Sequence, residues 1–452
     1  MIEPIVAKVQ SFRQRLFQIF RFRAGATLDL IDALAESAST SIVKISLSSL
    51  FRRTYSSITD VVDNLFRLRN GQNPSEQELQ EEQLKITQLL AKECPASKTR
   101  GFVLLAIDCT AKPRIYAKTV ADRSIVHAPN HVPGQKPITV GHEYSLAVFL
   151  PEDEEDRNVH WTCPLSIRRV QTHEIGSQVG LEQIKSLVSH TDFQTQLCVD
   201  VADAAYSTGN WTVSVDSIPN LIHISRLRSN RILYRQPLTI VGKRSRGRPA
   251  SYGPLIRLKD PPPPDHEEKI YRFTSSGKHR TIHLSRWNNL LARGSRGQHM
   301  EKHPFDVVRA QVFDDTGQRV FKNPLWLEVV GQQREKLTSS QAYEAYYQRY
   351  DIEHCFRFCK QKLLLARAQT PDTRHEENLT WLSILSLSLL YHVRHLANEV
   401  RYPWERRRVV VLSKSKPASQ VQRDYARIIR EMGTPAHIPN QGENRQVDNG
   451  ES

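Results

Sequence analysis

Three carboxylates, distant in the chain, stand where they could meet. Asp108 ends the apolar run GFVLLAID (residues 101–108), while QLCVDV (residues 196–201) carries Asp200 and is followed two residues later by Asp203. Continuous apolar runs of this length read as buried strands. Glu353 lies in AYEAYYQRYDIEHCFRFCKQKLLL (residues 342–365), where apolar residues recur at helical spacing. Carboxylates that converge without a counter-charge repel one another and hold their protons, unless cations sit between them. Hard oxygen ligands select Mg²⁺ or Mn²⁺. Two such ions about 4 Å apart can activate a water or a 3′-hydroxyl and stabilise the leaving oxygen of a phosphodiester.

The helix has a second pattern. With about 100° per residue and Tyr346 as zero, Arg349 falls near 300°, Glu353 near 340° and Lys360 near 320°, so four polar residues share one stripe. By the same step, Ile352, Phe356 and Leu363 centre at about 260°, so the buried face adjoins that stripe. The plainer reading of Arg349 and Glu353, four residues apart, is a surface ion pair worth about 0.3 kcal/mol.

The elements that must position these groups follow from composition and pattern. The 452 residues carry 63 Lys and Arg against 48 Asp and Glu, a net charge of +15, which favours a polyanionic partner. Charged residues interrupt the first twenty positions, which argues against a secretory signal, and the apolar stretch 379–393 is shorter than the ~20 residues a spanning helix needs. It is expected to be a buried helix. Six scattered cysteines suggest a reducing cytoplasm. Residues 1–98 read as short helices bearing Arg13, Arg15, Arg21, Arg23, Arg52, Arg53, Arg67 and Arg69, a basic bundle that could enter a DNA groove or simply present a solvated face. Strands and helices alternate over 99–225, predicting a mixed α/β sheet, and residues 226–323 read as a basic, β-rich insertion. The sheet pattern resumes over 324–402, with one long helix expected over 339–365, and 403–452 is a basic tail, partly disordered, with a short helix at 418–432.

The spacing Tyr346, Arg349, Glu353, Lys360 resembles the YREK motif of DDE transposases of bacterial insertion sequences. IDCT (residues 107–110) resembles that family's first-Asp motif, with Cys109 where a second Asp often stands, and DAAY (residues 203–206) resembles its second-Asp motif, favouring Asp203 over Asp200. The likeness covers about residues 100–400. It implies a ribonuclease H-like catalytic core preceded by a helical domain. It further implies that Asp108, Asp203 and Glu353 hold two Mg²⁺ or Mn²⁺ ions. Tyr346, Arg349 and Lys360 would then contact double-stranded DNA, namely the terminal inverted repeats of the element, before joining to target DNA. Bringing two ends together implies a homodimer on DNA, in a bacterial cytoplasm at the nucleoid, with no membrane partner. The rivals are a DNA-binding protein that has lost cleavage, and another two-metal nuclease of the same fold.

Other motifs are weaker. Arg246 and Arg248 in RGRP resemble a minor-groove AT-hook, although a solvated basic loop reads equally well. Trp287 could stack on a displaced base, but a packed core residue is the simpler reading. His354, Cys355 and Cys359 lack a second ligand pair at zinc spacing, and Asp314 and Asp315 suit a turn.

Overall fold

A computed structural model of the chain describes residues 2–37, 41–68, 72–128, 134, 136–152, 159–237, 250–273, 277–294, 298–367, 369–398 and 415–437. Helices open it: α1 (Ile2–Ile19), α2 (Ala24–Glu36), α3 (Ile42–Ser46), α4 (Ser56–Asn64) and α5 (Glu76–Lys92). A capping box starts α5, in which Ser75 Oγ accepts from the Glu78 N–H and the Glu78 carboxylate accepts from the Ser75 N–H at 2.8 Å. Such caps contribute about 1 kcal/mol and fix where the helix begins.

The apolar runs then become strands: β1 (Val103–Pro113), β2 (Ser124–His127), β3 (Ile138–Phe149) and β4 (Cys163–Val170). Helix α6 (Gly176–His190) leads to β5 (Cys198–Ala202), and α7 (Gly209–Asp216) to β6 (Leu221–Arg226). Across β4, β3, β1, β5 and β6 the pairings run antiparallel, antiparallel, parallel and parallel. That is the order of the ribonuclease H-like core that the resemblance implies.

Beyond Arg226 the chain adds β7 (Ile232–Tyr234), β8 (Leu255–Arg257), β9 (His266–Phe273), β10 (His279–Ala292) and β11 (Phe305–Phe313), then returns through β12 (Leu325–Val330). Strand β12 pairs with β6 on one side and β11 on the other. The β-rich segment therefore prolongs the central sheet in its own plane, giving twelve strands among the described residues.

The helix expected over 339–365 is two helices, α8 (Ser339–Gln348) and α9 (Asp351–Lys362). At the junction the N–H groups of Arg349, Ile352 and Glu353 bond to carbonyls three residues back, at 3.1–3.2 Å. This 3₁₀ tightening advances the chain about 120° per residue rather than 100° and offsets the two halves of the polar stripe. The apolar stretch after it lies within α10 (Thr373–Val393), buried along its length, where the hydroxyls of Ser383 and Ser386 bond to carbonyls four residues back. No helix among the described residues is long and apolar enough to cross a membrane.

Helix α11 (Ala418–Met432) closes the molecule against α2 and α10. Arg13 grips both oxygens of Asp32, at 2.5 and 2.8 Å, and the Tyr425 hydroxyl donates to the same carboxylate at 2.7 Å, all three groups being buried. Other amino-terminal arginines are also engaged. Arg15 pairs with Glu93, Arg21 with Glu82, Arg23 with Asp60, and Arg52 and Arg53 with Asp29.

A second buried cluster pins α10 to the sheet. Glu376 Oε1 accepts from Tyr144 at 2.9 Å and meets His142 Nδ1 at 2.8 Å, while Oε2 faces Arg114 Nε at 3.2 Å and Lys112 Nζ at 3.8 Å. Two cations thus share one carboxylate. Burial drives the Lys112 ammonium down to about 8 even though Glu376 opposes the shift.

Candidate active site

The register of two parallel strands decides which acids meet. The last pair between β1 and β5 is Ala106 with Val201, and two residues further along each chain come Asp108 and Asp203. Strand β5 has ended there, and Asp203 Oδ1 accepts the N–H of Ala205 at 2.7 Å, an Asx turn that swings the chain away. Tyr206 anchors this turn. Its buried ring meets Trp211 edge-on, and its hydroxyl donates to Cys109 Sγ at 3.4 Å, tying the second-acid loop to the residue after Asp108. Sequence marked Tyr206 only as part of a motif and gave no sign of this strut.

Asp200 points elsewhere. It is fully buried at 2.8 Å from His223 Nδ1, and that imidazole packs on Trp211 of α7. Residues alternate across a strand, so Asp200 and Asp203 leave β5 on opposite sides. Cys109 likewise faces α6, where a Cβ on Gly176 would come within 2.7 Å of its sulfur, whereas its neighbour Asp108 faces α8 and α9.

Arg349, in the tightened turn between α8 and α9, reaches both remaining partners. Its Nη1 lies 3.5 Å from Asp108 Oδ2 and its Nη2 donates to Glu353 Oε1 at 3.3 Å. The guanidinium is held at 5.6 Å from the Tyr346 ring centre and 5.2 Å from that of Tyr350. Its side chain is 8% exposed, against 47% for Glu353. Burial pushes the Asp108 carboxyl up to about 6; Arg349 opposes that shift, and Asp203 and Glu353 reinforce it. Burial lowers the Lys360 ammonium while Asp108 holds it up, so Lys360 also feels the site. All four residues of the expected stripe gather here, with Tyr346 as a buried support.

Two clefts flank the acids. One, of about 720 Å³, borders Ala204 and Ala205 and is lined by Arg228, Arg231 and Arg293. The other, of about 430 Å³, is lined by Tyr346, Tyr347, Tyr350, Phe321, Arg226 and Lys322. Strand β6 ends between them.

The remaining sequence candidates fall outside this arrangement. Trp287 is a core residue, buried with its Nε1 donating to the Pro262 carbonyl at 2.9 Å. His354 stacks on His160, Cys355 and Cys359 are buried, and Asp314 caps a turn through the N–H groups of Thr316 and Gln318. Arg246 and Arg248 lie outside the described residues.

The family model described as DDE superfamily endonuclease matches residues 15–291. The chain belongs to that family. No curated protein matches it in sequence. The DDE match takes in Asp108 and Asp203 and stops before α8, so the placement of Glu353 rests on the geometry above.

DDE superfamily endonucleases generally use divalent metal ions. The donors here suit one, being carboxylate oxygens, and Asp203 and Glu353 add to the burial that raises the Asp108 carboxyl, a repulsion that a bound cation would relieve. As placed, no three His, Cys, Asp or Glu side chains among the described residues are grouped closely enough to hold an ion. The position between Asp108 and Glu353 is taken by a guanidinium.

Proposed function

We propose that this DDE endonuclease is the transposase of a bacterial insertion sequence, cutting DNA at the element's terminal repeats and joining the freed 3′-hydroxyl to target DNA. The observation that carries the reading is the meeting of Asp108 and Asp203 at the end of their strand pair, with Glu353 linked to Asp108 through Arg349. Asp108, Asp203 and Glu353 would hold two Mg²⁺ or Mn²⁺ ions, which supply the activation of the attacking oxygen and the stabilisation of the leaving one. The chain's own cations bind and orient the substrate. Arg349 suits a fork on a phosphate, and Lys360 a point charge beside it. Arg226, Arg228 and Arg293 in the flanking clefts extend the attraction along the duplex, whereas Arg13 and Arg15 of α1 are already paired with acids. Two ends held together require a dimer on DNA.

The test is incubation of labelled end-repeat duplex with Mg²⁺ or Mn²⁺. Asp108→Ala, Asp203→Ala and Glu353→Ala are expected to bind the duplex and leave it intact, and Asp200→Asn is expected to cut it at a normal rate per folded molecule. Raising salt weakens binding steeply through counterion release. Full cleavage by Asp203→Ala, or its loss in Asp200→Asn that is still folded, overturns the assignment. Cleavage without joining identifies a nuclease of the same fold instead.

A further inference from the structure

Arg349 is the group whose position is hardest to reconcile with a role on DNA alone. It is buried, its Nε has no hydrogen-bond partner among the described residues, and its two terminal nitrogens each face a different site carboxylate, at 3.5 Å and 3.3 Å. Its guanidinium stands 5.6 Å and 5.2 Å from the ring centres of Tyr346 and Tyr350. A divalent cation and this guanidinium would compete for the same oxygens of Asp108 and Glu353. They also repel each other: at an effective dielectric constant of about 20, two positive charges some 4 Å apart oppose one another strongly.

We infer that Arg349 is a resident counter-cation, which holds the metal-binding acids in check until a DNA phosphate draws it away. This rests on the proposed metal role of Asp108 and Glu353. Arg349 is here a positioning residue with two stations. Without DNA it satisfies the two carboxylates and keeps divalent ions weakly bound. With DNA its fork turns to a phosphate, which is the stronger and bidentate partner, and the oxygens it leaves are open to the ion. Metal uptake and DNA binding are thereby coupled, and coupling is reciprocal: whatever factor DNA adds to metal affinity, metal adds to DNA affinity. The arrangement would restrain strand cutting until a duplex is seated.

The probe is Mn²⁺, titrated into the full chain and followed through the electron paramagnetic resonance of the free ion, so that no turnover is read. Without DNA, Arg349→Ala is expected to bind Mn²⁺ about tenfold tighter than the parent, within the usual span of coupling effects. Adding duplex, with uptake by duplex alone subtracted, is expected to tighten the parent by a similar factor and to leave Arg349→Ala unchanged. Arg349→Lys keeps the charge without the two-pronged reach and is expected to fall between them; it replaces the alanine variant if melting shows that one to be unfolded. Asp108→Asn serves as the reference. If Asp108→Asn loses the ion and the Arg349 variants bind it no tighter than the parent, the inference fails while the proposed function stands. If Asp108→Asn binds Mn²⁺ as the parent does, the metal role of the acids falls, and this inference with it.

Discussion

Asp108→Asn is expected to bind DNA, to cut it more slowly by on the order of 10³-fold or more, and to melt at a higher temperature than the parent. The rate loss follows from removing a group that acts on charge developing in the transition state. The gain in stability has a separate origin. Burial raises the folded carboxyl from 3.8 to about 6, so the folded state takes up this proton more readily than the unfolded chain. The penalty for ionising it is absent below pH about 4, builds as pH rises towards 6, and is complete above that. At about 1.4 kcal/mol per pH unit the full shift, which already includes Arg349's attraction, corresponds to about 3 kcal/mol, an upper limit on what the asparagine gains. Melting curves in chelator at neutral pH and near pH 4 check this. A gain of equal size at both, or none at neutral pH, would show that burial does not load this acid.

Glu376→Gln carries the largest expected loss of stability. Glu376 is the only carboxylate among the described residues that the Lys112 and Arg114 ion pairs share, and all three side chains are buried. Neutralising it leaves two cations inside the protein without their anion, a change that costs about 3–5 kcal/mol when a buried pair is broken. It also weakens the contacts of His142 and Tyr144 that hold α10 against β3. Thermal or urea unfolding should show a drop of several degrees or a matching fall in midpoint, and Lys112→Met added to Glu376→Gln should return part of it. A variant as stable as the parent would mean that water reaches these cations.

The strands that lead to Asp108 and Asp203, and the buried character of α10, were legible because long apolar runs bounded by acids or turn residues have few other uses. The choice between Asp200 and Asp203 was not legible from pattern alone. Strand β5 is covered on both faces, so its residues do not alternate between apolar and polar. The break at Arg349 was equally hidden, because Arg349 and Tyr350 keep right-handed helical dihedrals and only the hydrogen-bond step changes. A count of arginines made the first helices look like a DNA-binding face. Asp29, Asp32, Asp60, Glu82 and Glu93 were present in the same sequence, but their pairings depend on tertiary contacts. Residue spacing could suggest Arg349 beside Glu353; its reach to Asp108 comes only from the packing of α9 on β1.

The clasp of Tyr425 on Asp32 and Arg13 joins residues 393 and 412 positions apart. During synthesis Asp32 leaves the ribosome 393 residues ahead of Tyr425, so α2 waits for a helix made far along the chain. The packing around α2 is therefore finished only after α11 has been made. A truncation before Ala418 would remove a wall of the core rather than trim a tail.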